Sequence, residues 1–271
     1  MGIATPLSDA VAVVTGAGSG IGRACALEFA ARGACVVVSD LDEQRAHETL
    51  ELVGASGGRG ASRRVDVTSE DDLVALRELA LSRFGRVDVV MNNVGIITMG
   101  SPETMPMDAW QRSLDVNLLS IARSNLVFLP LLVAQGHGHV VNTASASGLL
   151  AYGFDRVPYV ASKHAVVGVT EALAIHLGPL GVGVTCLCPS GVATNIREQI
   201  TSYGTSSSPR APRHPVVTAD VVGRLVADAV ESGTFLVVTT DLVHEELRER
   251  ANDIEGYIDR MIEAQRRERE G

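Results

Sequence analysis

The chain has 271 residues, 46% of them apolar, which is enough to bury the core of one large α/β domain. Its net charge of −9 argues against a general nucleic-acid binder, which needs a basic surface. The sequence shows us no apolar run long enough to span a bilayer, and its N-terminus lacks the basic and apolar parts of a secretion signal. We therefore expect a cytoplasmic protein without nucleic-acid or membrane partners.

Short β-branched runs alternate with amphipathic stretches along the chain. Strands are predicted over Val11–Thr15, Ala34–Asp40, Ser62–Val67, Val87–Asn92, His139–Ala144, Gly183–Cys188 and Thr234–Thr239. Helices are predicted over Gly20–Arg32, Leu41–Val53, Glu70–Phe84 (capped by Ser69), Met107–Val133, Tyr159–Leu177 and Thr218–Glu231. This alternation predicts an α/β fold, namely a single-domain, Rossmann-type, doubly wound parallel sheet of about seven strands over residues 1–271, with helices on both faces.

Two regions fall outside the alternation. Thr194–Pro215, rich in Ser, Pro and Arg, is too long for an ordinary connection and is predicted to be a substrate loop. The charged segment Asp241–Gly271 predicts an extra C-terminal amphipathic helix that packs on its own domain or on a neighbouring subunit. Its apolar positions at helical spacing are Leu247, Ala251, Ile254, Ile258 and Met261.

A glycine-rich turn joins the first predicted strand to the first predicted helix. Residues 15–22 read TGAGSGIG, and their position, more than the glycines alone, indicates a dinucleotide site. Glycines let the backbone approach a pyrophosphate, which the positive N-terminus of the helix attracts. Asp40 ends the second strand, where an acid accepts hydrogen bonds from the adenosine ribose and repels a 2′-phosphate. Ser19 offers no phosphate clamp, although Arg23 could reach inward, so the sequence favours NAD over NADP.

Other chemical signatures are missing from the sequence. It contains neither a GxxxxGK[ST] phosphate loop nor the GxSxG elbow of α/β-hydrolases. The four cysteines form no CxxC pair, which predicts reduced thiols in the core. His137 and His139 form an HGH pair without a third ligand nearby in sequence, so we expect no metal site.

Tyr159 and Lys163 stand four residues apart on a predicted helix and therefore share one face. A lysine ammonium beside a tyrosine favours the phenolate and brings the pKa of the phenol toward the range of general acid–base catalysis. Of the 23 lysine and arginine residues, Lys163 is the one lysine, which suggests that this position needs a compact ammonium. A serine-rich strand end, residues 142–148, precedes the pair.

These motifs together resemble those of the classical short-chain dehydrogenases/reductases over roughly residues 7–240. In chain order they are the TGxxxGxG turn, Asp66-Val67, Asn92–Gly95 (NNVG, similar to NNAG), Asn117, Ser145, the Tyr159 and Lys163 pair, and Pro189–Thr194 (PSGVAT, similar to PGxVxT).

The resemblance implies the functional residues. The catalytic residues are Asn117, Ser145, Tyr159 and Lys163. The cofactor contacts are Gly16, Ser19, Gly20, Ile21, Gly22, Asp40, Leu41, Asp66, Val67, Asn93, Val94, Gly95, Thr143, Tyr159, Lys163, Pro189, Val192 and Thr194. The substrate contacts are Ser145, Ser147, Tyr152 and Tyr159, with Ser147 as the competing serine.

The resemblance also implies what these residues do. Ser145 hydrogen-bonds the substrate oxygen, Tyr159 passes its proton, and Lys163 holds the ribose hydroxyls and tunes Tyr159. Asn117 anchors a proton-relay water toward Lys163. Val192 and Thr194 fix the nicotinamide carboxamide.

Two residues depart from the family pattern. Val94 replaces the usual alanine and is expected to crowd the cofactor face, and Ser190 replaces a glycine and is expected to stiffen a turn near the nicotinamide. Neither is expected to touch the reacting atoms, so we predict an altered cofactor fit and no loss of activity.

The sequence thus predicts an NAD-dependent oxidoreductase that interconverts a secondary alcohol and a ketone, with an apolar or cyclic, steroid- or terpenoid-like substrate. The substrate pocket is expected between residues 145–152 and the Thr194–Pro215 loop, with walls from Leu149, Leu150, Tyr152 and Phe154. The alternatives are an NADPH-dependent 3-oxoacyl reductase, against which Asp40 weighs, and a non-catalytic NAD-binding protein. The resemblance alone implies a homotetramer.

Overall fold

The computed structural model describes residues 2–151, 153–204 and 213–270. Its strands are β1 (Val11–Thr15), β2 (Cys35–Asp40), β3 (Arg59–Arg64), β4 (Val89–Asn92), β5 (Ile97–Met99), β6 (Gly138–Thr143), β7 (Val182–Cys188), β8 (Val192–Ala193), β9 (Ile200–Ser202), β10 (Val217–Thr218) and β11 (Leu236–Val238). Its α-helices are α1 (Gly20–Ala31), α2 (Glu43–Ala55), α3 (Glu70–Phe84), α4 (Met107–Leu114), α5 (Ser120–Gln135), α6 (Val157–Leu177), α7 (Ala219–Ser232), α8 (Asp241–Asn252) and α9 (Ile254–Glu270).

Seven strands form one parallel sheet in the order β11-β7-β6-β4-β1-β2-β3. The strand order reverses between β1 and β4, so the crossovers wind outward in both directions and leave a crevice at the carboxyl edge between these strands. The predicted doubly wound parallel sheet of about seven strands is confirmed. That residues 1–271 act as one catalytic domain stays a prediction.

Side-chain alternation along the central strands builds a core on each face of the sheet. Ala12 and Val14 of β1 pack with α1, α2 and α7 on one face, whereas Val11 and Val13 pack with α3, α5 and α6 on the other. Because both faces are covered, the strands are apolar throughout, as parallel sheets require. A third buried cluster joins the end of β7 and helix α6 to α8 and α9.

Local capping sets the helix starts near the site. The Ser69 side chain accepts a hydrogen bond from Asp72 N at 3.2 Å, and three acidic residues fill the first turn of α3, as the sequence predicts. The Asp42 side chain caps α2 by accepting from Arg45 N at 3.2 Å. The predicted start at Leu41 is therefore two residues early, since a capping residue lies outside the helix that it caps.

The third strand begins three residues earlier than the sequence predicts. Strand β3 pairs with β2 from Cys35 with Arg59 to Asp40 with Arg64, so the ladder ends where β2 ends. Position 60, inside this strand, takes a glycine because an added Cβ would stand 2.5 Å from the carbonyl oxygen of Val36. The glycine at this position thus reflects a close approach of two backbones.

The predicted long helix over Met107–Val133 is interrupted. Residues Asp115–Leu119 form one π-helical turn between α4 and α5, and the buried Asn117 lies in it. Such turns are rare and occur often at functional sites.

The whole helical run Met107–Gln135, 29 residues, is long and apolar enough to cross a membrane by length and composition alone. The expectation that no such run exists is therefore wrong on that criterion. In the fold, Val127, Phe128 and Leu132 of this run pack in the core beneath the sheet, as in the core helices of many globular proteins.

The C-terminal segment is two helices rather than one. Asp253 separates α8 from α9, and the positions that enter the core are Val243 and Tyr257. Of the predicted apolar positions, Leu247 and Met261 pack against this cluster, whereas Ile254 and Ile258 are about half exposed. Asp253 has non-helical φ and ψ values of −149° and 86°, so a single helical periodicity does not describe both halves.

The cysteines and the HGH pair have structural roles. All four cysteines are buried free thiols, as predicted. His139 is fully buried, and its Nε2 lies 2.8 Å from the Thr185 hydroxyl. No group of three His, Cys, Asp or Glu residues that could hold a metal occurs within the described part of the chain.

Burial of His139 should make stability depend on pH. Burial lowers its pKa from 6.5 to about 4, so between these values the unfolded chain binds more protons than the folded chain. The free energy of unfolding should then fall as the pH falls from 6.5 to 4, by about 3 kcal/mol from this residue. Urea denaturation at pH 7 and at pH 4 measures this fall in the free energy of unfolding. In His139→Gln the fall should be smaller than in the unmodified protein by about this amount.

The matched control is His47→Gln, which removes a histidine whose side chain is 64% exposed. An equal pH dependence of His139→Gln and the unmodified protein would contradict the assignment of the effect to this residue.

Candidate active site

One large cavity, of about 1480 Å³, opens at the carboxyl edge of the sheet. Most of the residues expected at the site line it. They are Gly16, Ser19, Gly20, Ile21, Asp40, Leu41, Asp66, Val67, Asn93, Val94, Gly95, Thr143, Ser145, Ser147, Tyr159, Lys163, Pro189, Val192 and Thr194. The parallel strands bring these sequence-distant residues together because their carboxyl ends meet at one edge.

Three expected site residues are placed differently. Gly22 lies behind the turn, where an added Cβ would stand 2.2 Å from the carbonyl oxygen of Gly16, so its role is close packing. Asn117 is fully buried beneath the cavity wall. Tyr152 lies outside the described residues.

The glycine turn folds tightly around the start of α1. Gly16 and Gly20 have φ values of 61° and 53°, in the left-handed region that favours glycine. Gly18 N donates a hydrogen bond to Asp40 Oδ2 at 2.9 Å, which joins the turn to the end of β2. This cradle fits a dinucleotide pyrophosphate, because it presents main-chain N–H groups and a helix N-terminus without intervening side chains.

Asp40 reaches the cavity while Arg23 does not. The Arg23 side chain hydrogen-bonds Thr49 Oγ1 at 2.8 Å and Glu48 at 3.3 Å, and its guanidinium also contacts the carbonyl oxygen of Gly18. The possibility that Arg23 turns inward is therefore not realised, and Arg23 does not line the cavity.

Asn93 ties the central strands together beneath the cavity. Its main-chain N–H donates to Thr15 Oγ1 at 3.1 Å, and its side-chain amide donates to the carbonyl oxygens of Thr15 and Gly16. Thr143 Oγ1 donates to Asn93 Oδ1 at 3.4 Å. The ends of β1, β4 and β6 are thereby held in one arrangement.

Lys163 is 3% exposed, and its ammonium donates a hydrogen bond to the carbonyl oxygen of Thr143 at 2.8 Å. Its Nζ lies 5.9 Å from the centre of the Tyr159 ring. Burial lowers the pKa of Lys163 from 10.5 to about 8, so the ammonium is the main form at neutral pH. The pair shares one face of α6, as its spacing predicts.

Tyr159 lies on the cavity wall beside Ser145. Burial raises the pKa of the Tyr159 phenol, and the nearby Ser145 hydroxyl lowers it by a smaller amount. The protein alone therefore raises the pKa of the phenol, whereas the sequence predicts that it is lowered. The reason is that the effect of burial is larger than that of the neighbouring groups. Ser145 is the serine whose hydroxyl contacts the Tyr159 phenol, and its Oγ also accepts a hydrogen bond from Ser147 N at 3.1 Å.

Asn117 holds the chain beneath the site. Its Oδ1 accepts from Ile96 N at 2.8 Å, and its Nδ2 donates to the Ile96 carbonyl at 3.1 Å and to Ser162 Oγ at 3.0 Å. The side chain therefore has its polar atoms engaged by protein groups. Through these bonds Asn117 positions the Gly95–Ile96 segment, and its expected role in anchoring a proton-relay water stays a prediction.

The two departures from the family pattern have local consequences. Val94 packs its Cγ2 against the turn, 3.0 Å from where a Cβ on Gly16 would lie. Ser190 N and Oγ contact Thr239 Oγ1 at 3.0 and 2.8 Å, which joins the turn after β7 to the end of β11. These contacts hold the turn in place, and the stiffening expected from Ser190 stays a prediction.

The walls of the cavity differ from the predicted ones. Phe154 lines it, but Leu149 and Leu150 are buried in the third core cluster and face away. Two short strand pairs, β5 with β9 and β8 with β10, shape the rim. The residues that sequence reasoning missed come from β5, the segment before β10 and the tail helices, including Met99, His214, Arg250 and Tyr257.

Comparisons with known proteins agree with this geometry. Residues 10–203 match the family model described as short chain dehydrogenase. The chain is 36% identical to cyclohexanol dehydrogenase of Acinetobacter sp., over 69% of this chain and 74% of that protein. It is 35% identical to D-beta-hydroxybutyrate dehydrogenase of Rhizobium meliloti, over 69% and 73%. A short chain dehydrogenase/reductase from Burkholderia phymatum, solved in complex with NAD, superposes with a TM-score of 0.84 at 32% identity, over 93% and 96%.

The packing around Lys163 can be tested through Gly95. A Cβ on Gly95 would lie 3.1 Å from Lys163 Nζ and 3.6 Å from Asn117 Oδ1. We expect Gly95→Ala to lower the free energy of unfolding by about 1–3 kcal/mol, because the buried ammonium has to move. Urea denaturation measures this change.

Gly54→Ala is the matched control, since no atom lies within 4 Å of an added Cβ there and the residue is inside α2. It should raise stability by up to about 1 kcal/mol. A Gly95→Ala protein as stable as the control would show that Lys163 is loosely held.

Proposed function

The chain belongs to the short-chain dehydrogenase family, and from that premise we propose that it interconverts a secondary alcohol and a ketone with Tyr159 as general acid and base. The observation that carries the proposal is the grouping of Tyr159, Ser145 and the buried ammonium of Lys163 on one cavity wall. The coarser activity, oxidoreduction of alcohols, follows from the family and from its alcohol dehydrogenase relatives.

The cofactor is NAD, and the residues around the cavity fit it. The glycine turn would hold the pyrophosphate, Asp40 the adenosine ribose, and Asp66 and Val67 the adenine. Lys163 would hold the second ribose, and Val192 and Thr194 the carboxamide. When bound, NAD accepts or gives the hydride at its nicotinamide ring.

The proton chemistry belongs to the protein. Ser145 donates a hydrogen bond to the substrate oxygen and holds it beside Tyr159. Because burial raises the pKa of Tyr159, the phenol keeps its proton at neutral pH and can donate it to a ketone oxygen. In the reverse direction the phenolate has to accept the alcohol proton, and the Lys163 ammonium stabilises that negative charge.

The substrate is an apolar or cyclic secondary alcohol or its ketone. Apolar side chains line the cavity from β5, from the segment after residue 152 and from helix α9. They include Met99, Phe154, Ile254 and Ile258. Such a surface stabilises hydrocarbon rings by excluding water.

The protein is further proposed to form a homotetramer, as family members suggest. Leu119, Leu126 and Val133 recur every seven residues along the run that ends in α5, and all three are exposed at 45%, 68% and 36%. An apolar stripe of this kind is typical of a helix that packs against a second copy. Sedimentation of the full chain measures the assembly.

Replacement of Tyr159 tests the mechanism. Tyr159→Phe removes the hydroxyl that transfers the proton, so turnover of a cyclohexanol and cyclohexanone pair should fall by about 100-fold or more. NAD binding, measured by calorimetry, should change little. Tyr203→Phe is the matched control, since Tyr203 does not line the cavity. Retained turnover in Tyr159→Phe would contradict the proposed acid–base role.

Replacement of Asp40 tests the basis of cofactor choice. Asp40→Asn keeps an oxygen that can accept from Gly18 N but removes the negative charge. The ratio of kcat/KM with NADP to that with NAD should rise about tenfold or more, because about 1.4 kcal/mol of repulsion is lost. An unchanged ratio would show that the charge of Asp40 does not exclude the 2′-phosphate.

A further inference from the structure

The second tail helix, α9, presents a row of apolar side chains to the active-site cavity. Ile254, Ile258 and Ile262 follow each other at four-residue spacing, so they share one face of the helix. All three line the cavity, and they are 51%, 50% and 41% exposed. We refer to these three residues as the α9 stripe. About half of each side chain is thus left uncovered by the described part of the protein.

The rotation of α9 is set by two neighbouring side chains. Tyr257 is 3% exposed in the third core cluster, and Met261 packs against the same cluster. That cluster includes Ala144 and Ala146, which flank Ser145 in sequence. The inner side of α9 therefore packs beside the strand end that carries Ser145. Because successive helical residues are about 100° apart, burial of the inner side leaves the adjacent α9 stripe in the cavity wall.

The segment before β10 forms the wall next to this stripe. Its Arg213 Nη1 lies 3.2 Å from Met261 Sδ, so the segment and α9 are in direct contact. Val216, three residues further on, lines the cavity and is 54% exposed. Ile200 of β9 adds a partly buried apolar side chain to the same lining. Apolar surface therefore reaches the cavity from the rim as well as from α9.

The apolar wall is long. The residues of α9 that line the cavity run from Ile254 to Gln265, which corresponds to about 16 Å of helix. A single six-membered ring cannot cover a wall of this length. The cavity, of about 1480 Å³, also exceeds the usual range for ligand pockets of about 300–1,000 Å³, which leaves space beside a cofactor. Exposed apolar surface of this extent marks a binding groove for an apolar group.

We propose that the α9 stripe binds a hydrocarbon chain that the substrate carries on the side remote from its reacting carbon. The stripe belongs to the same cavity as Tyr159 and Ser145, so a substrate chain is the occupant that reaches it directly from the reacting end. Such a chain binds in proportion to the apolar area that is removed from water. The inference rests on the proposed function, which places the reacting carbon at Tyr159.

Ketones that differ only in chain length test the proposal. The probes are 4-alkylcyclohexanones with alkyl chains of one to ten carbons, and the longer ones are each paired with a chain of equal length that contains ether oxygens. Reduction with NADH by the full chain gives kcat/KM. Calorimetry on the full chain loaded with NAD, which cannot reduce a ketone, gives Kd. Each added methylene should raise kcat/KM and lower Kd about twofold or more until the wall is covered, whereas the ether chains should gain little.

Two variants should weaken the dependence on chain length. Ile258→Gln and Ile262→Gln replace half-exposed side chains with a good helix former, so the protein should fold as before. Each should lower the ratio of kcat/KM for the decyl ketone to that for the methyl ketone by about fivefold or more. Because the ratio compares two ketones in one protein, a general loss of active enzyme does not change it.

The matched control is Leu242→Gln in α8. Leu242 is 42% exposed and is not among the described residues that line the cavity, so this variant should keep the ratio.

The outcomes separate the α9 stripe from the reaction. Reduction of ketones with equal kcat/KM at every chain length overturns the proposal and leaves the proposed function intact. A gain that survives both variants, or an equal gain from the ether chains, also overturns it. A change in sedimentation of the variants with the chain-length dependence intact overturns it in favour of contact with a second copy. Tighter binding of longer chains that both variants lose, without turnover of any ketone, supports the stripe and contradicts the proposed function.

Discussion

Lys163 donates a hydrogen bond from a buried ammonium to the carbonyl oxygen of Thr143, and this contact joins α6 to the carboxyl end of β6. A charge in this position requires close packing on every side. Gly95 provides the space beside Nζ. Gly148 allows a second close approach, because a Cβ added to it would lie only 2.5 Å from the carbonyl oxygen of Lys163. The same helix turn presents Tyr159 to the cavity, so the position of the lysine also sets the position of the proposed acid–base group.

The arrangement depends in turn on how the strand ends are held. Asn93 connects Thr15, Gly16 and Thr143, and Asp40 connects the glycine turn to β2. Asn117, in its π-helical turn, fixes Ile96 through both main-chain groups. Polar side chains that bond to the backbone in this way cannot shift without leaving buried groups unpaired, which keeps the cavity in one shape.

The far side of the cavity has a different character. It is built from the tail helices and the rim strands, which pack on the third core cluster rather than on the main sheet faces. Apolar residues such as Met99 and Ile258 share this wall with polar residues such as His214 and Arg250. The proposed catalytic residues thus lie at the edge of the parallel sheet, whereas this wall is built from elements added to the sheet.

The sequence by itself determined the parallel fold, the glycine turn, the Asp40 position and the Tyr159–Lys163 pair. Each of these is a local pattern, because strand periodicity, turn chemistry and the four-residue helical spacing act between near neighbours. The tertiary structure alone decided that β3 begins at Arg59, that Asn117 bonds Ile96 and that Leu149 and Leu150 face the core. It also decided that the break at Asp253 brings Tyr257 to the cavity. These features depend on contacts between residues far apart in sequence. The free energy of such contacts cannot be predicted from a local sequence pattern.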